Sequence, residues 1–103
     1  MQTPDKWVIL KINNEINKVF ASWGGGYLSG DYWRVNSGIV KVEEDENYYY
    51  FYGYSGSIYK CHKNAYGVIG ASNKATLNNI INHNSVSIII INENTNWKEI
   101  LND

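Results

Sequence analysis

The sequence predicts an α+β fold, an antiparallel β-meander of five to six strands with one packed helix and a late inserted strand. Three observations predict it. Short runs of alternating apolar residues are separated by turns that contain Asn, Gly and Ser. One stretch, residues 72–83, repeats its apolar residues at helical spacing. A nearly continuous β-branched run, residues 86–91, follows that stretch.

The first two strands are predicted at Lys6–Ile12 and Ile16–Trp23. They are joined by Asn13-Asn14-Glu15, and asparagine tolerates the left-handed backbone conformation that a tight hairpin needs. So short a connection makes the two strands antiparallel. Four further strands are predicted at Tyr32–Asn36, Ile39–Glu43, Tyr48–Tyr54 and Ser57–His62.

The most aromatic of these strands is residues 48–54, YYYFYGY. Successive side chains of a strand point to opposite faces. One face therefore carries Tyr48, Tyr50, Tyr52 and Tyr54, and the other carries Tyr49, Phe51 and Gly53. Such a strand is either buried on both faces or presents one face to a flat partner, and the sequence leaves both possibilities open.

Residues 72–83 are predicted to form the helix, capped by Ser72 or Asn73. Its apolar stripe consists of Ala75, Leu77, Ile80 and Ile81. The run 86–91 is typical of a strand that is covered on both faces, and the helix provides the cover on one of them.

The length of 103 residues fits one domain, residues 1–103. The formal net charge of -1 argues against general DNA or RNA binding, which needs a clustered basic face. Charged residues make up only 18% of the chain, which favours a homo-oligomer because little charge keeps copies apart.

The single cysteine, Cys61, excludes an intramolecular disulfide and is typical of a protein from a reducing compartment. The first residues show no secretory signal pattern, and the longest apolar run, Ile88–Ile91, is too short to span a bilayer. We therefore expect a cytoplasmic protein without a membrane partner.

No set of residues specifies a reaction, so we do not expect an enzyme. Cys61 and His62 are neighbours in a predicted strand and point to opposite faces, so they cannot form a catalytic dyad. One cysteine and two histidines lack the spacing of a zinc site, and we expect no metal or cofactor. A weaker alternative is a phosphodiesterase-like enzyme that uses His62 and Asp31.

A group of large aromatic rings lies near glycines, small hydroxyl side chains and the one arginine of the chain. Aromatic rings stack on nucleobases for about 1–3 kcal/mol each, and glycine loops let backbone amides approach phosphates. Arg34 offers a bidentate contact to a phosphate or a base. The candidate ligand-binding residues are Trp23, Gly25, Gly26, Tyr27, Trp33, Arg34, Asn36, Ser37, Tyr54, Ser55, Ser57 and Tyr59. Alternatively, these rings are core or subunit interface, because Tyr and Trp are abundant in both.

Four segments carry a resemblance to known sequences. They are Asp5-Lys6-Trp7, residues 18–31 (KVFASWGGGYLSGD), Trp33 with residues 36–39 (NSGI), and residues 53–57 (GYSGS) leading to residues 59–63 (YKCHK). Up to about Gly67, the chain resembles small accessory proteins of tailed phages and prophages, a family without a settled activity. The resemblance implies a setting in the cytoplasm of an infected bacterial host, where small inhibitors of bacterial immunity are common among such proteins. It assigns no role to any residue.

Together, these observations predict a phage-type anti-defence protein that sequesters a nucleotide-derived immune signalling molecule without chemistry. The alternative is a protein–protein inhibitor that blocks a bacterial defence effector, in the manner of an anti-CRISPR protein. Such an inhibitor uses the same surface or the acidic turn, residues 43–46.

Overall fold

A computed structural model describes residues 1–25, 30–93 and 97 of the chain. Within these residues, seven strands form two antiparallel sheets and one helix covers one of them, so the α+β prediction is confirmed. The strands are β1 (Lys6–Ile12), β2 (Ile16–Trp23), β3 (Tyr32–Val35), β4 (Ile39–Glu44), β5 (Tyr48–Gly53), β6 (Ile58–His62) and β7 (Ile88–Ile90). The helix is α1 (Ala71–Asn82).

The strands are arranged in the order β3-β2-β1-β7 in one sheet and β4-β5-β6 in the other. Every neighbouring pair is antiparallel. The meander is interrupted after β3, where Asn36-Ser37-Gly38 carries the chain from the four-stranded sheet to the three-stranded sheet. This crossover places β3 at one edge of its sheet.

The β1–β2 hairpin has the turn that its asparagines predict. Asn13 and Asn14 adopt φ angles of 53° and 59°, in the left-handed region that asparagine tolerates. The two strands pair in register from Lys6 opposite Ser22 to Ile12 opposite Ile16.

Two apolar cores lie on the two faces of the four-stranded sheet. Between the sheets are the buried side chains Trp7, Ile9, Val19, Ala21, Trp23, Val42, Phe51, Tyr59, Cys61 and Trp97. On the other face are Val8, Leu10, Phe20 and Ile88, packed with Leu77 of α1. The alternation of side chains along β1 and β2 explains why neighbouring residues enter different cores. The result is three layers: the three-stranded sheet, the four-stranded sheet and the helix.

The aromatic strand β5 buries one face and presents the other to solvent. Phe51 is fully buried between the sheets. On the outer face, Tyr48, Tyr50 and Tyr52 are half-buried. The Lys60 ammonium lies 4.4 Å from the centre of the Tyr48 ring, a distance at which a cation is attracted to the ring. The sequence left this choice open, and the structure resolves it.

The late strand β7 joins the sheet at its edge, beside β1. The prediction that residues 86–91 are covered on both faces is wrong for Ile89 and Ile90. Ile88 is buried, but Ile89 and Ile90 are 51% and 45% exposed. An edge strand of three residues has neighbours on one side only, so less of its surface is covered than the apolar run suggests.

The helix begins earlier than its predicted caps. Gly70 is the N-cap, with a φ of 91°, and no side chain caps the first turn. The buried Asn73 instead donates from Nδ2 to the carbonyl oxygens of Ile69 at 2.9 Å and of Tyr32 at 3.0 Å. Its role is to attach the helix to the start of β3. No helix in the described part of the chain is long and apolar enough to cross a membrane.

Candidate functional site

One face of β3 carries three polar or aromatic side chains in a row. Tyr32 pairs with Trp23 and Arg34 pairs with Ala21, and paired residues of antiparallel strands share a face. Because Trp23 and Ala21 belong to the core between the sheets, Tyr32 and Arg34 lie on the side of the three-stranded sheet. Asn36 continues this alternation just beyond the end of β3. We call Tyr32, Arg34 and Asn36 the β3 row.

Tyr32 presents an aromatic ring at the end of this row. Its ring stacks on that of Trp23, with centroids 4.7 Å apart and planes inclined by 5°. Trp23 is buried, and its indole Nε1 donates to the Thr3 carbonyl at 3.0 Å. Tyr32 is 49% exposed. Trp23 is therefore a core residue that supports Tyr32, and Tyr32 is the solvent-exposed ring of the stacked pair.

Arg34 occupies the middle of the row and is exposed. Burial raises the pKa of Tyr59, and the nearby positive charge of Arg34 acts in the opposite direction. Arg34 of the four-stranded sheet thus interacts electrostatically with Tyr59 of β6, in the facing sheet. Among the residues that the structure describes, no ion pair joins Arg34 to a carboxylate.

Asn36 is buried, with only 3% of its surface exposed. Its Oδ1 accepts a hydrogen bond from the Val19 N–H at 2.9 Å, which fixes the orientation of the amide. Its Nδ2 has no hydrogen-bond partner within residues 1–25, 30–93 and 97. A buried donor without a partner costs about 1–3 kcal/mol. Such groups are few in native proteins, and a bound water, ion or other polar group is one way to satisfy them.

The Nδ2 of Asn36 lies beside a group of hydroxyls around Gly53. A β-carbon at position 53 would lie 2.7 Å from Ser57 Oγ, 3.1 Å from Ser37 Oγ and 3.5 Å from Asn36 Nδ2. Gly53 thus makes the space in which these three polar groups meet. Ser37 Oγ also accepts from the Ser55 N–H at 2.8 Å and contacts Ser55 Oγ at 3.1 Å. We call Asn36, Ser37, Ser55 and Ser57 the Gly53 cluster.

The structure brings together some of the predicted site residues and separates others. Arg34, Asn36, Ser37, Ser55 and Ser57 lie on or beside the β3 row, with Tyr59 and Trp23 buried next to them. Trp33 lies on the opposite face of β3, where its ring stacks on Phe20 at 5.5 Å. Tyr54 is 83% exposed at the β5–β6 turn. Gly25 lies in the loop after β2, and Gly26 and Tyr27 lie outside the described residues.

The candidate site residues predicted from the sequence did not include Tyr32 or Gly53. Tyr32 has the same parity along the strand as Arg34 and Asn36, whereas Trp33 has the other parity. Strand alternation alone was sufficient to group Tyr32 with Arg34 and to exclude Trp33. The role of Gly53 depends on the approach of Ser37 from another turn, and no local signal shows that approach.

The groups of the alternative, enzymatic interpretation do not share a site. Cys61 is buried between the sheets, and burial raises the pKa of its thiol well above the ordinary value. His62 lies on the outer face, against the Tyr48 ring at 5.0 Å. Asp31 lies near the start of α1, where the Ser72 hydroxyl contacts it at 3.3 Å. In the described part of the chain, no group of three or more His, Cys, Asp or Glu side chains is placed to hold a metal ion.

The fold and this site define a class: an α+β protein with two packed sheets and a surface at the edge of one sheet that carries hydrogen-bond donors and an exposed aromatic ring. Comparison with protein-family models, curated proteins and solved structures finds no match to the chain. The resemblance to phage accessory proteins therefore stays a prediction from the sequence.

Proposed function

We propose that the protein binds a nucleotide-derived signalling molecule and sequesters it without changing it. The binding site is the β3 row together with the Gly53 cluster. The observation that carries the proposal is the buried Nδ2 of Asn36, which has no partner among the described residues and follows Arg34 and Tyr32 on one face.

The base of such a ligand stacks on Tyr32. One face of this ring already lies parallel to Trp23, so the ring is held in a fixed orientation. A pre-oriented ring loses little side-chain entropy when a base stacks on it. Base–aromatic stacking contributes about 1–3 kcal/mol and does not require a particular base.

The phosphate of the ligand binds to Arg34. Same-face neighbours in a strand lie about 7 Å apart, so Arg34 is one such step from Tyr32 and one from Asn36. A base and the phosphate of the same nucleotide are separated by a comparable distance. The guanidinium binds phosphate through two parallel hydrogen bonds, which no other side chain of the row can do.

The Gly53 cluster provides hydrogen-bond donors for sugar or phosphate oxygens. Asn36 Nδ2 and Ser57 Oγ approach the same point above Gly53. The cluster contains amide and hydroxyl groups and no carboxylate, so it does not repel an anionic ligand. It also contains no imidazole, thiol or carboxylate that could act as a general base. This composition supports binding without catalysis.

The resemblance to phage proteins supports an anti-defence role, in which the bound molecule is an immune signal of the infected cell. The test is isothermal titration calorimetry with cyclic dinucleotides, cyclic trinucleotides and isomers of cyclic ADP-ribose. We expect heat from at least one of these at micromolar protein, and the same compound recovered intact by mass spectrometry after the protein is denatured. No heat from any of them contradicts the proposal, and a recovered product of changed mass contradicts sequestration.

A second candidate function is inhibition of a defence protein through a protein–protein contact. The outer face of the three-stranded sheet favours it, because Tyr48, Tyr50 and Tyr52 form an aromatic stripe that is only half-buried. Aromatic residues are enriched in protein interfaces. Co-purification with host proteins by the unmodified chain, lost in Tyr50→Ala and kept in Arg34→Ala, would favour this candidate over the first.

A further inference from the structure

The outer edge of β3 is a row of backbone groups directed away from the sheet. The Asn36 N–H donates to the Val19 carbonyl at 3.1 Å, so the backbone groups at Asn36 point toward β2. By the alternation of an antiparallel ladder, those of Arg34 and Tyr32 do the same. The N–H and C=O groups of Trp33 and Val35 therefore point outward, where no described residue pairs with them.

Two other sheet edges are closed by features that β3 lacks. Beside β6, the backbone N–H of Gln2 donates to the Ile58 carbonyl at 2.9 Å, and the backbone carbonyl of Gln2 accepts from the Lys60 N–H at 2.7 Å. Along β4, a register shift between Ile39 and Lys41 interrupts the edge. Covered edges and bulges prevent edge-to-edge pairing, whereas β3 has neither a bulge nor a proline.

The side chains along β3 are those that interfaces use most. Tyr32, Trp33 and Arg34 are consecutive and exposed, and Trp, Tyr and Arg are the residue types that are enriched at the centres of interfaces. The remaining edge strand, β7, has three isoleucines and no such combination. A cysteine placed on β7 therefore serves as a comparison for a cysteine placed on β3.

We propose that β3 pairs antiparallel with β3 of a second copy of this chain, about a twofold axis at Trp33. The two four-stranded sheets then form one continuous eight-stranded sheet. Trp33 exchanges both of its outward hydrogen bonds with Trp33 of the second copy. The inference does not depend on the proposed function.

The hydrogen-bond pattern allows a twofold axis at Trp33 or at Val35, and the side chains favour the axis at Trp33. With the axis at Trp33, Tyr32 lies opposite Arg34 of the second copy on the same face, in a pair of the type that brings side chains closest. A guanidinium against a tyrosine ring is attractive. With the axis at Arg34, the two guanidinium groups face each other and the residue on the axis has no outward backbone groups.

This arrangement has a consequence for the ligand site. One face of the Tyr32 ring lies against Trp23, and Arg34 of the second copy takes the other. A base that stacks on Tyr32 needs that same face. If the proposed function is also correct, ligand binding and dimerisation compete, and ligand shifts the dimer toward monomer.

The first test is the mass of the ligand-free protein by size-exclusion chromatography with light scattering. An interface of one short strand pair is small, so we expect a dissociation constant on the order of 10 µM. At about 100 µM protein, the mass approaches twice the 11.8 kDa of one chain, and it falls on dilution. If the protein has the mass of one chain at this concentration as well as after dilution, the inference is overturned.

The second test locates the interface by cysteine cross-linking. Residues on a twofold axis in a hydrogen-bonded pair have Cα atoms about 5.5 Å apart, within the range that a disulfide spans. Trp33→Cys is therefore expected to form a covalent dimer under mild oxidation. Val35→Cys is the matched control, because the two copies of residue 35 lie about 14 Å apart in this register. The native Cys61 is buried and does not interfere.

Each result has one meaning. A covalent dimer in Trp33→Cys and none in Val35→Cys supports the register. Cross-linking of Val35→Cys that equals or exceeds that of Trp33→Cys, or a covalent dimer in Ile89→Cys instead, overturns it. These readouts use no ligand, so a failure of the proposed function leaves them unchanged.

Discussion

Asn36 and Val19 are joined by two hydrogen bonds, one to the backbone and one to the side chain of Asn36. The Asn36 N–H donates to the Val19 carbonyl at 3.1 Å, and the Val19 N–H donates to Asn36 Oδ1 at 2.9 Å. The side chain thus continues the β2–β3 ladder while the backbone turns toward β4. The same bonds direct the Nδ2 of the amide toward Gly53, where its hydrogens have no partner in the described part of the protein.

Asn36→Ala is expected to lower the free energy of unfolding by about 1–3 kcal/mol, because the Val19 N–H loses its acceptor in a buried place. The loss is expected toward the lower end of this range, because the substitution also removes the buried, unpaired Nδ2, which is itself destabilising. Urea denaturation measures it. The control is Asn64→Ala at an exposed position, expected to change the free energy by less than about 0.5 kcal/mol. Equal losses in the two variants would contradict a structural role for Asn36.

Arg34→Ala is expected to weaken binding of the nucleotide ligand about 10- to 100-fold, because a charge-assisted hydrogen-bonded contact is lost. The thermal midpoint is expected to change little, since Arg34 is exposed. Calorimetry against the best ligand measures the affinity. Lys41→Ala removes an exposed positive charge from the outer face of the other sheet and is the matched control. A similar loss in both variants would mean that only net charge matters.

Gly53→Ala is expected to destabilise the protein by about 1–3 kcal/mol, because the new methyl group collides with Ser57 Oγ. Combining it with Ser57→Ala removes the closest contact and is expected to restore part of the loss. A double-mutant cycle from urea denaturation measures the coupling. Strictly additive effects would show that the two residues do not share this space.

Tyr66→Phe tests the pH dependence of stability. The Tyr66 hydroxyl accepts from the Ile9 N–H at 3.1 Å and donates to the Ile91 carbonyl. Burial raises the pKa of Tyr66 to about 12, whereas a tyrosine of the unfolded chain has a pKa of about 10. Because the pKa of Tyr66 is higher in the folded state, its protonated hydroxyl stabilises the folded state fully below about pH 10. This stabilisation is lost as the pH rises through about 12.

We therefore expect the difference in unfolding free energy between the natural protein and Tyr66→Phe to shrink as the pH rises from about 10 to about 12. Urea denaturation across this range measures the difference. Tyr54→Phe, at an exposed position, is the control and is expected to change the free energy of unfolding by less than about 0.5 kcal/mol. A constant difference for Tyr66→Phe is the contradicting outcome.

Cys61 is expected to resist alkylation by iodoacetamide in the folded protein. The residue is fully buried, and burial raises the pKa of its thiol, so both access and the reactive thiolate are suppressed. Mass spectrometry is expected to show labelling only after denaturation. Ser85→Cys places a second thiol at an exposed position and is expected to be labelled in the folded state. Labelling of both thiols at similar rates in the folded state contradicts the prediction.

The strands were predictable from the sequence because their side chains alternate regularly. β1 and β2 have the predicted bounds, and the aromatic strand ends one residue earlier than predicted, at Gly53. The division of the strands into two sheets was not predictable. The same alternation fits one sheet or two, and the separation depends on the crossover after β3, whose direction no local pattern specifies.

The candidate site was predictable in part. Arg34, Asn36 and the serines were identified from composition, and they do lie near each other. Composition gave Trp33 the same weight as its neighbours, although its parity places it on the other face of β3. The start of the helix was missed because Gly70 adopts a positive φ and no polar side chain caps the first turn.

The pairing of β1 with β7 affects how the protein is made. Leu10 lies opposite Ile90, and Lys11 lies opposite Ile89. A ribosome therefore releases the first strand long before it synthesises the strand that completes this side of the sheet. During that interval the apolar residues of β1 depend on β2 alone for pairing, and contacts so distant in sequence slow folding. A nascent chain arrested before residue 88 is expected to leave one edge of β1 open to other chains and to chaperones.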